Sequence, residues 1–393
     1  MIPSLVPNLG LGDVRAWLSV WENPENTYPT RMSQAFGTPF ALTTSSARAA
    51  LFHILKANGI VGKDVLITAY TCSVVTEAIV QSGNRPVLVD TAANSFNAEI
   101  TDRHVAQHRP NLGAVILTNI FGTTEFSTPP IARGQGFLLI LDAALSPSHV
   151  ATAPSEAFDY VYTSGGVRKP LTSLGGGLIL TSHEQHFCTL AGHLRRTLRV
   201  RPCGNRMKGW AMAPVFFTVF KPGFYDLASM LRRKTHFLDR FFSERSNDIH
   251  AQNPEFQHDM HDYQKRVGAL QLDHLAVTAQ WRREISNRYQ ELLEASYPDA
   301  AKFWRADVPY SHFPFLHPRR DALERHLLER GIDVERYFDY AISDIEQYGF
   351  VGEFERAQHL ARQMLNLPIH KQLSDADIVR VVTEIKRFDG LAG

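Results

Sequence analysis

The chain is short of most features that would narrow its role at once. No apolar run approaches the roughly 20 residues that cross a bilayer as a helix. The opening MIPSLVPNLGLGDVRAW has no basic stretch followed by an apolar core, so no secretory signal is expected. Cysteine is scarce. Cys72, Cys188 and Cys203 are odd in number and lack metal or redox spacing, which argues against a disulfide framework and for a reducing cytoplasm. Neither charge sign is in excess: 41 basic against 40 acidic residues give a formal net charge of +1, which excludes the basic footprint of a nucleic-acid binder. There is no internal repeat and no low-complexity tract. The glycine run at 175–177 is not followed by the Gly-Lys-Ser/Thr of a P-loop.

What is present is an α/β pattern. At 393 residues the chain exceeds a usual single core, and a large domain over 1–255 with a smaller one over 256–393 is expected. Short apolar runs at 65–70, 86–90, 114–119, 137–144, 159–164 and 177–181 read as buried strands. Between them SSARAALFHILKANG and SVVTEAIVQSG read as helices, the first stopping at Asn58-Gly59. Continuous apolar strands separated by helices predict a mostly parallel sheet covered on both faces. From about 257 the pattern turns to long helices, with YQKRVGALQLDHLAVTAQWRREISNRYQELLEA read as one extended helix and a closing helix from Ser374.

Ligands of such sheets collect beyond the carboxyl ends of the strands. Tyr70, Asp142 and Ser164 end strands, so all three are expected at one crevice, together with the free amides of the helix that starts near Ser45. The stretch TSGGVRKPLTSLGGGLIL adds a lysine. Pro170 biases Lys169 away from helical backbone, and the flanking glycines permit close approach of the main chain to a ligand. An amine, a carboxylate and an anion-binding helix start are the three things pyridoxal 5'-phosphate requires. The amine forms the Schiff base, the carboxylate keeps the pyridine nitrogen protonated, and the helix end holds the phosphate. The bland alternatives are a glycine hairpin for Lys169, a capping carboxylate for Asp142, a turn serine for Ser164 and a solvated residue for Arg48.

The order of these parts resembles the DegT/DnrJ/StrS family of sugar aminotransferases. SSARAALFHIL is similar to the family's Ser-Gly-Thr-Ala-Ala-Leu helix start, AYTCSVVTEAI to its Pro-x-Tyr-Thr-Phe segment, and IFGTTEF to its Phe-Gly turn. LDAALSP resembles its Asp-Ala-Ala-Gln motif, SGGVRKPLTSLGGGLIL its Ser-x-x-x-x-Lys and glycine strand, and LNLPIHKQL its closing Leu-Pro-hydrophobic-His segment. The resemblance implies fold type I, with a seven-stranded sheet, Lys169 as Schiff-base lysine, Asp142 as pyridinium partner and Ser164 as phosphate ligand. It also implies a homodimer and transfer of an amino group from glutamate to a nucleotide-linked keto sugar. Four cofactor positions depart from the family. Ala47-Arg48 replaces Gly-Thr at the phosphate, where the Arg48 guanidinium could serve instead. Cys72 replaces an aromatic ring, Leu145 replaces Gln or His, and Gln257 replaces the asparagine that reaches the neighbouring subunit's phosphate. These departures keep two other readings open, a lyase or dehydrase on the same Schiff base and a non-catalytic cofactor-binding regulator.

Two further stretches carry expectations. HDMH, with His258 and His261, lacks a third metal ligand, so no metal is expected. Lys169 and Gln257 lie 88 positions apart, more than the family usually has, and the excess near 195–245 is rich in arginine and phenylalanine. It reads as an extra helical pair, a lid shaping acceptor choice, or a patch touching a membrane surface.

Overall fold

The computed structural model describes residues 1–18, 24–123, 129–150, 155–199 and 253–391. Nine strands are found there: β1 Phe40–Thr44, β2 Asp64–Thr68, β3 Arg85–Val89, β4 Leu112–Thr118, β5 Leu138–Asp142, β6 Tyr160–Ser164, β7 Gly177–Thr181, β8 Phe313–Leu316 and β9 Met364–Leu367. In chain order the helices are α1 Leu11–Leu18, α2 Pro24–Phe36, α3 Ala47–Ala57, α4 Ser73–Gln81, α5 Asp102–His108, α6 Pro147–Val150 and α7 Glu184–Thr197. They continue with α8 Asp262–Asp273, α9 Leu275–Leu293, α10 Pro298–Ala301, α11 Arg320–Glu329, α12 Glu355–Gln363 and α13 Asp375–Phe388.

The main sheet runs β1-β7-β6-β5-β4-β2-β3, with β7 antiparallel to both neighbours and β6, β5, β4, β2 and β3 mutually parallel. The expected mostly parallel, seven-stranded sheet is therefore the one formed. Its strands are apolar on both faces, and the two-residue period sorts them. Val65, Ile67, Ile140 and Ile179 pack on one face with Leu51 and Ile54 of α3 and Ile79 of α4. Leu66, Leu139, Leu141, Leu178 and Leu180 pack on the other with Met32 and Phe36 of α2. Each such side chain gains roughly 1.5–3 kcal/mol on burial, so a sheet apolar on both sides needs helices on both.

A second core forms around the β8–β9 ribbon, α9 and α11 to α13, and it takes in the start of the chain: Ile2 bridges Ile332, with its N–H on Gly331 O at 2.7 Å. The long helix expected over the segment from Tyr263 is two helices. At His274 the amide bonds to Gln271 O, three residues back, instead of continuing the α ladder. The break serves packing. α8 lies against α1 and α2, whereas α9 puts Ile285, Tyr289 and Leu293 into the second core. Of the arginine- and phenylalanine-rich stretch, Arg195 and Arg196 sit in the last turn of α7, and everything from 200 to 252 lies outside the described residues. Among the described residues no helix is long and apolar enough to cross a membrane.

Candidate active site

The site begins where α3 begins. Ser46 adopts extended backbone and its Oγ accepts from Ala49 N–H at 3.1 Å, a normal N-cap, and Ala47 and Arg48 form the first turn at the helix's positive end. The glycine run makes this placement possible. Gly175 and Gly176 take φ of +123° and +95°, and a Cβ on Gly177 would lie 2.2 Å from Ser46 O and 2.6 Å from Ala47 N. Only glycine lets β7 come this close to the start of α3.

Beside that helix start is a cavity of about 140 Å³, lined among others by Ser46, Ala47, Arg48, Cys72, Asp142, Tyr162, Ser164 and Lys169. Asp142 ends β5 and is almost fully buried. Its Oδ1 accepts from Ala144 N–H at 2.9 Å and its Oδ2 from the Tyr162 hydroxyl at 2.7 Å. Burial pushes the Asp142 carboxyl up, against the opposing pull of Ala144 N–H, the Tyr162 hydroxyl and the Lys169 charge. Burial and the neighbouring Asp142 together push the Tyr162 hydroxyl far up, so it stays a donor. Ser164 ends β6 with its Oγ on Gly166 N–H at 3.2 Å. Arg48 turns to α4, where its Nη1 meets the buried Glu77 Oε2 at 2.8 Å; Gln81 Nε2 donates to the other Glu77 oxygen at 3.1 Å. Cys72 is the N-cap of α4 and is not in a disulfide.

Six of the eight residues singled out by sequence thus share the cavity wall: Lys169, Asp142, Ser164, Ala47, Arg48 and Cys72. The other two do not line it. Leu145 is packed into the second core, where an apolar side chain gains most from burial. Gln257 ends a 3-10 turn whose carbonyl accepts from Arg199 N–H at 2.7 Å, and this turn is tied to the α3 side through Ser45 Oγ on Glu255 O at 2.6 Å. Tyr70, expected at the crevice, is turned away from it. It is fully buried, its hydroxyl donates to Phe338 O at 3.1 Å, and its ring packs on Phe338. His258 lies on Arg199 O and His261 stacks on Tyr263, and no group of three metal-ligating side chains exists among the described residues.

Three residues of the site came with no sequence signal of their own. Tyr162 and Glu77 read only as strand and helix members. Tyr337, whose hydroxyl lies 2.5 Å from Lys169 Nζ, is 168 positions away along the chain.

Residues 15–202 and 228–386 match the DegT/DnrJ/EryC1/StrS aminotransferase family. The chain belongs to that family. Pyridoxal 5'-phosphate is the cofactor of these fold-type I enzymes, and the residues present fit it. A buried carboxylate that holds neutral hydrogen-bond donors and resists ionisation is the site for a cationic ring nitrogen, and the start of α3 is the site for a phosphate. Relatives of this DegT-family chain include the dTDP-4-dehydro-2,3,6-trideoxy-D-glucose 4-aminotransferase of Saccharopolyspora spinosa. It is 25% identical over 357 residues, spanning 87% of this chain and 83% of the relative. The spore coat polysaccharide biosynthesis protein SpsC of Bacillus subtilis is 22% identical over 98% of this chain and 96% of its own. Among solved structures, PseC of Helicobacter pylori, an aminotransferase of pseudoaminic acid biosynthesis, superimposes with a TM-score of 0.73 at 14% identity, covering 98% of each chain.

Proposed function

We infer that this DegT-family aminotransferase takes its amino group from glutamate and delivers it to a keto sugar linked to a nucleotide, with Lys169 as the residue that binds the cofactor. The observation that carries this reading is the convergence of Lys169, Asp142 and the start of α3 on one cavity. The acceptor class rests on relatives named for dTDP-sugar amination.

Pyridoxal 5'-phosphate supplies an aldehyde carbon and a ring that accepts electrons. The chain's residues supply the rest. Asp142 holds the proton on the ring nitrogen, and a cation there stabilises a carboxylate that burial alone disfavours. The amides of Ala47 and Arg48, the Arg48 guanidinium and the Ser164 hydroxyl bind the phosphate. Lys169 would bond the cofactor's aldehyde carbon and, once the donor's amine takes that place, would serve as the base for the proton on the donor's α-carbon and, in the second half-reaction, as the acid toward the acceptor's carbon. Cys72 would stand where the family usually has an aromatic ring. The stretch near 195–245 is the candidate for acceptor choice, and Gln257 the candidate for completing the site across a homodimer. Mixing Lys169→Ala and Gln257→Ala chains then regenerates activity in mixed dimers, and no gain in verified mixed dimers would refute that role.

The deciding experiment supplies ¹⁵N-glutamate and a panel of nucleotide-linked keto sugars and follows label by mass spectrometry. Labelled amino sugar with matching 2-oxoglutarate supports the reading. Elimination without nitrogen transfer would establish the lyase alternative in its place.

A further inference from the structure

The reactive amine has a companion in the second core. Lys169 Nζ donates to Tyr337 Oη at 2.5 Å and lies 5.2 Å from the centre of the same ring. The ring is held on several sides. It packs on His312 with centroids 4.0 Å apart at 35°, and on Phe338 at 4.7 Å and 73°. Its backbone N–H donates to Asn366 Oδ1 at 3.1 Å, and Asn366 in turn exchanges two backbone hydrogen bonds with Glu335. Arg168, the residue before the lysine, lies over the ring at 5.3 Å and pairs with Glu335 Oε2 at 2.6 Å. One short stretch of the second core, Glu335 to Phe338, therefore grips two consecutive cations of the loop that carries the amine.

A phenol hydroxyl both accepts and donates. It accepts from an ammonium and donates to the lone pair of a neutral amine, so it keeps the same nitrogen aimed in either protonation state. An amine that must alternate between base and acid needs a partner of this kind. We propose that Tyr337 is the positioning residue of Lys169, fixing the direction of its amine and setting its proton affinity. The proposal rests on the reading of Lys169 given above.

The charged and titratable groups that face the amine are Arg168 on its own loop, Asp142 at the end of β5, and Glu335 and His312 from the second core, with Arg48, Tyr162 and Cys72 on the cavity wall. His312 is buried and held well below its ordinary value, first by burial and then by Arg168 and Lys169, so it adds no charge. All of these remain when only the hydroxyl is removed. Tyr337→Phe takes an acceptor from the ammonium while Arg168 stays beside it. The amine should then lose its proton more readily.

The test uses the full-length chain stripped of cofactor, to which pyridoxal 5'-phosphate is added across a range of pH. The rate of bonding to Lys169 is read by absorbance, and the bonded residue is identified by borohydride reduction and peptide mass. Only the neutral amine reacts, so the rate rises through the amine's titration. In Tyr337→Phe the midpoint of that rise should fall by about one pH unit, the roughly tenfold by which a hydrogen bond to the charged amine exceeds one to the neutral amine. An unmoved or raised midpoint would overturn the proposal. His312→Phe keeps an aromatic face against Tyr337 and leaves the hydroxyl in place, so its midpoint should match the unsubstituted chain. An equal fall in both variants would assign the effect to packing and likewise overturn it. Bonding at a lysine other than Lys169 in the unsubstituted chain would remove the functional reading itself, a result distinguishable from a failure confined to Tyr337.

Discussion

Gly177→Ala should damage both the fold and the cofactor site, although the backbone at this position suits alanine. The added Cβ would stand 2.2 Å from Ser46 O, 2.3 Å from Ser46 C and 2.6 Å from Ala47 N, all main-chain atoms. Comfortable contacts lie near 3.5 Å, so the start of α3 must retreat by roughly 1 Å. Ser46 O is not idle: it accepts from Ala50 N–H at 2.9 Å, opening the helix ladder, and from Thr44 Oγ1 at 3.0 Å. Weakening two hydrogen bonds at about 1 kcal/mol each, with the strain of overpacking a tight site, gives a loss of about 2–3 kcal/mol. The same movement pulls the Ala47 and Arg48 amides from the phosphate position. Affinity for pyridoxal 5'-phosphate should fall at least about tenfold, the effect of about 1.4 kcal/mol. Urea unfolding of the cofactor-free chain and a fluorescence titration with the cofactor measure the two effects. Stability within about 0.5 kcal/mol of the unsubstituted protein, together with unchanged affinity, would refute the close-approach account of the glycine run.

Two other substitutions bear on the site. Asp142→Asn should cost about two to three orders of magnitude in turnover, as expected for one preorganised electrostatic partner. Yet it should raise the melting temperature of the cofactor-free chain. Burial raises the native carboxyl above its ordinary 3.8, so its contribution to stability is full below that value and is lost as pH rises through the native one. The gap between variant and parent should therefore widen with pH from about 4 upward, and a melting-temperature gap independent of pH would contradict the reasoning. Arg48→Ala, combined with Glu77→Gln so that no buried carboxylate is stranded, should weaken binding of pyridoxal 5'-phosphate by about tenfold to a hundredfold. It should leave binding of pyridoxal, which lacks the phosphate, unchanged. Equal losses for both ligands would show that Arg48 is a structural partner of Glu77 only.

What could be read from the chain followed how local each signal was. The helix start near Ser45, the stop at Asn58-Gly59 and the strand at 177–181 depend on neighbours a few residues away, and all three form as expected. Asp142 and Ser164 line the one cavity because a strand's last residue stands at the carboxyl edge of the sheet. Tyr70 follows the same rule by position but not by contact. Phe338 arrives from the second core to receive its hydroxyl, and nothing near residue 70 announces that partner. The break at His274 likewise has no proline or glycine to mark it; it exists because α8 and α9 serve different cores. Tyr337 was invisible for the same reason, since its meaning comes from Lys169 and His312 and not from its own surroundings in the chain.

The central claim is that Lys169 is the amine that carries the cofactor. The direct measurement is to saturate the purified full-length chain with pyridoxal 5'-phosphate, reduce with borohydride, digest, and map the modified lysine by mass spectrometry. A single modified peptide spanning the loop between β6 and β7, with the mass increment on Lys169, and no stable adduct in Lys169→Ala are expected. A reduced adduct on any other lysine, or an undiminished adduct in Lys169→Ala, would contradict it.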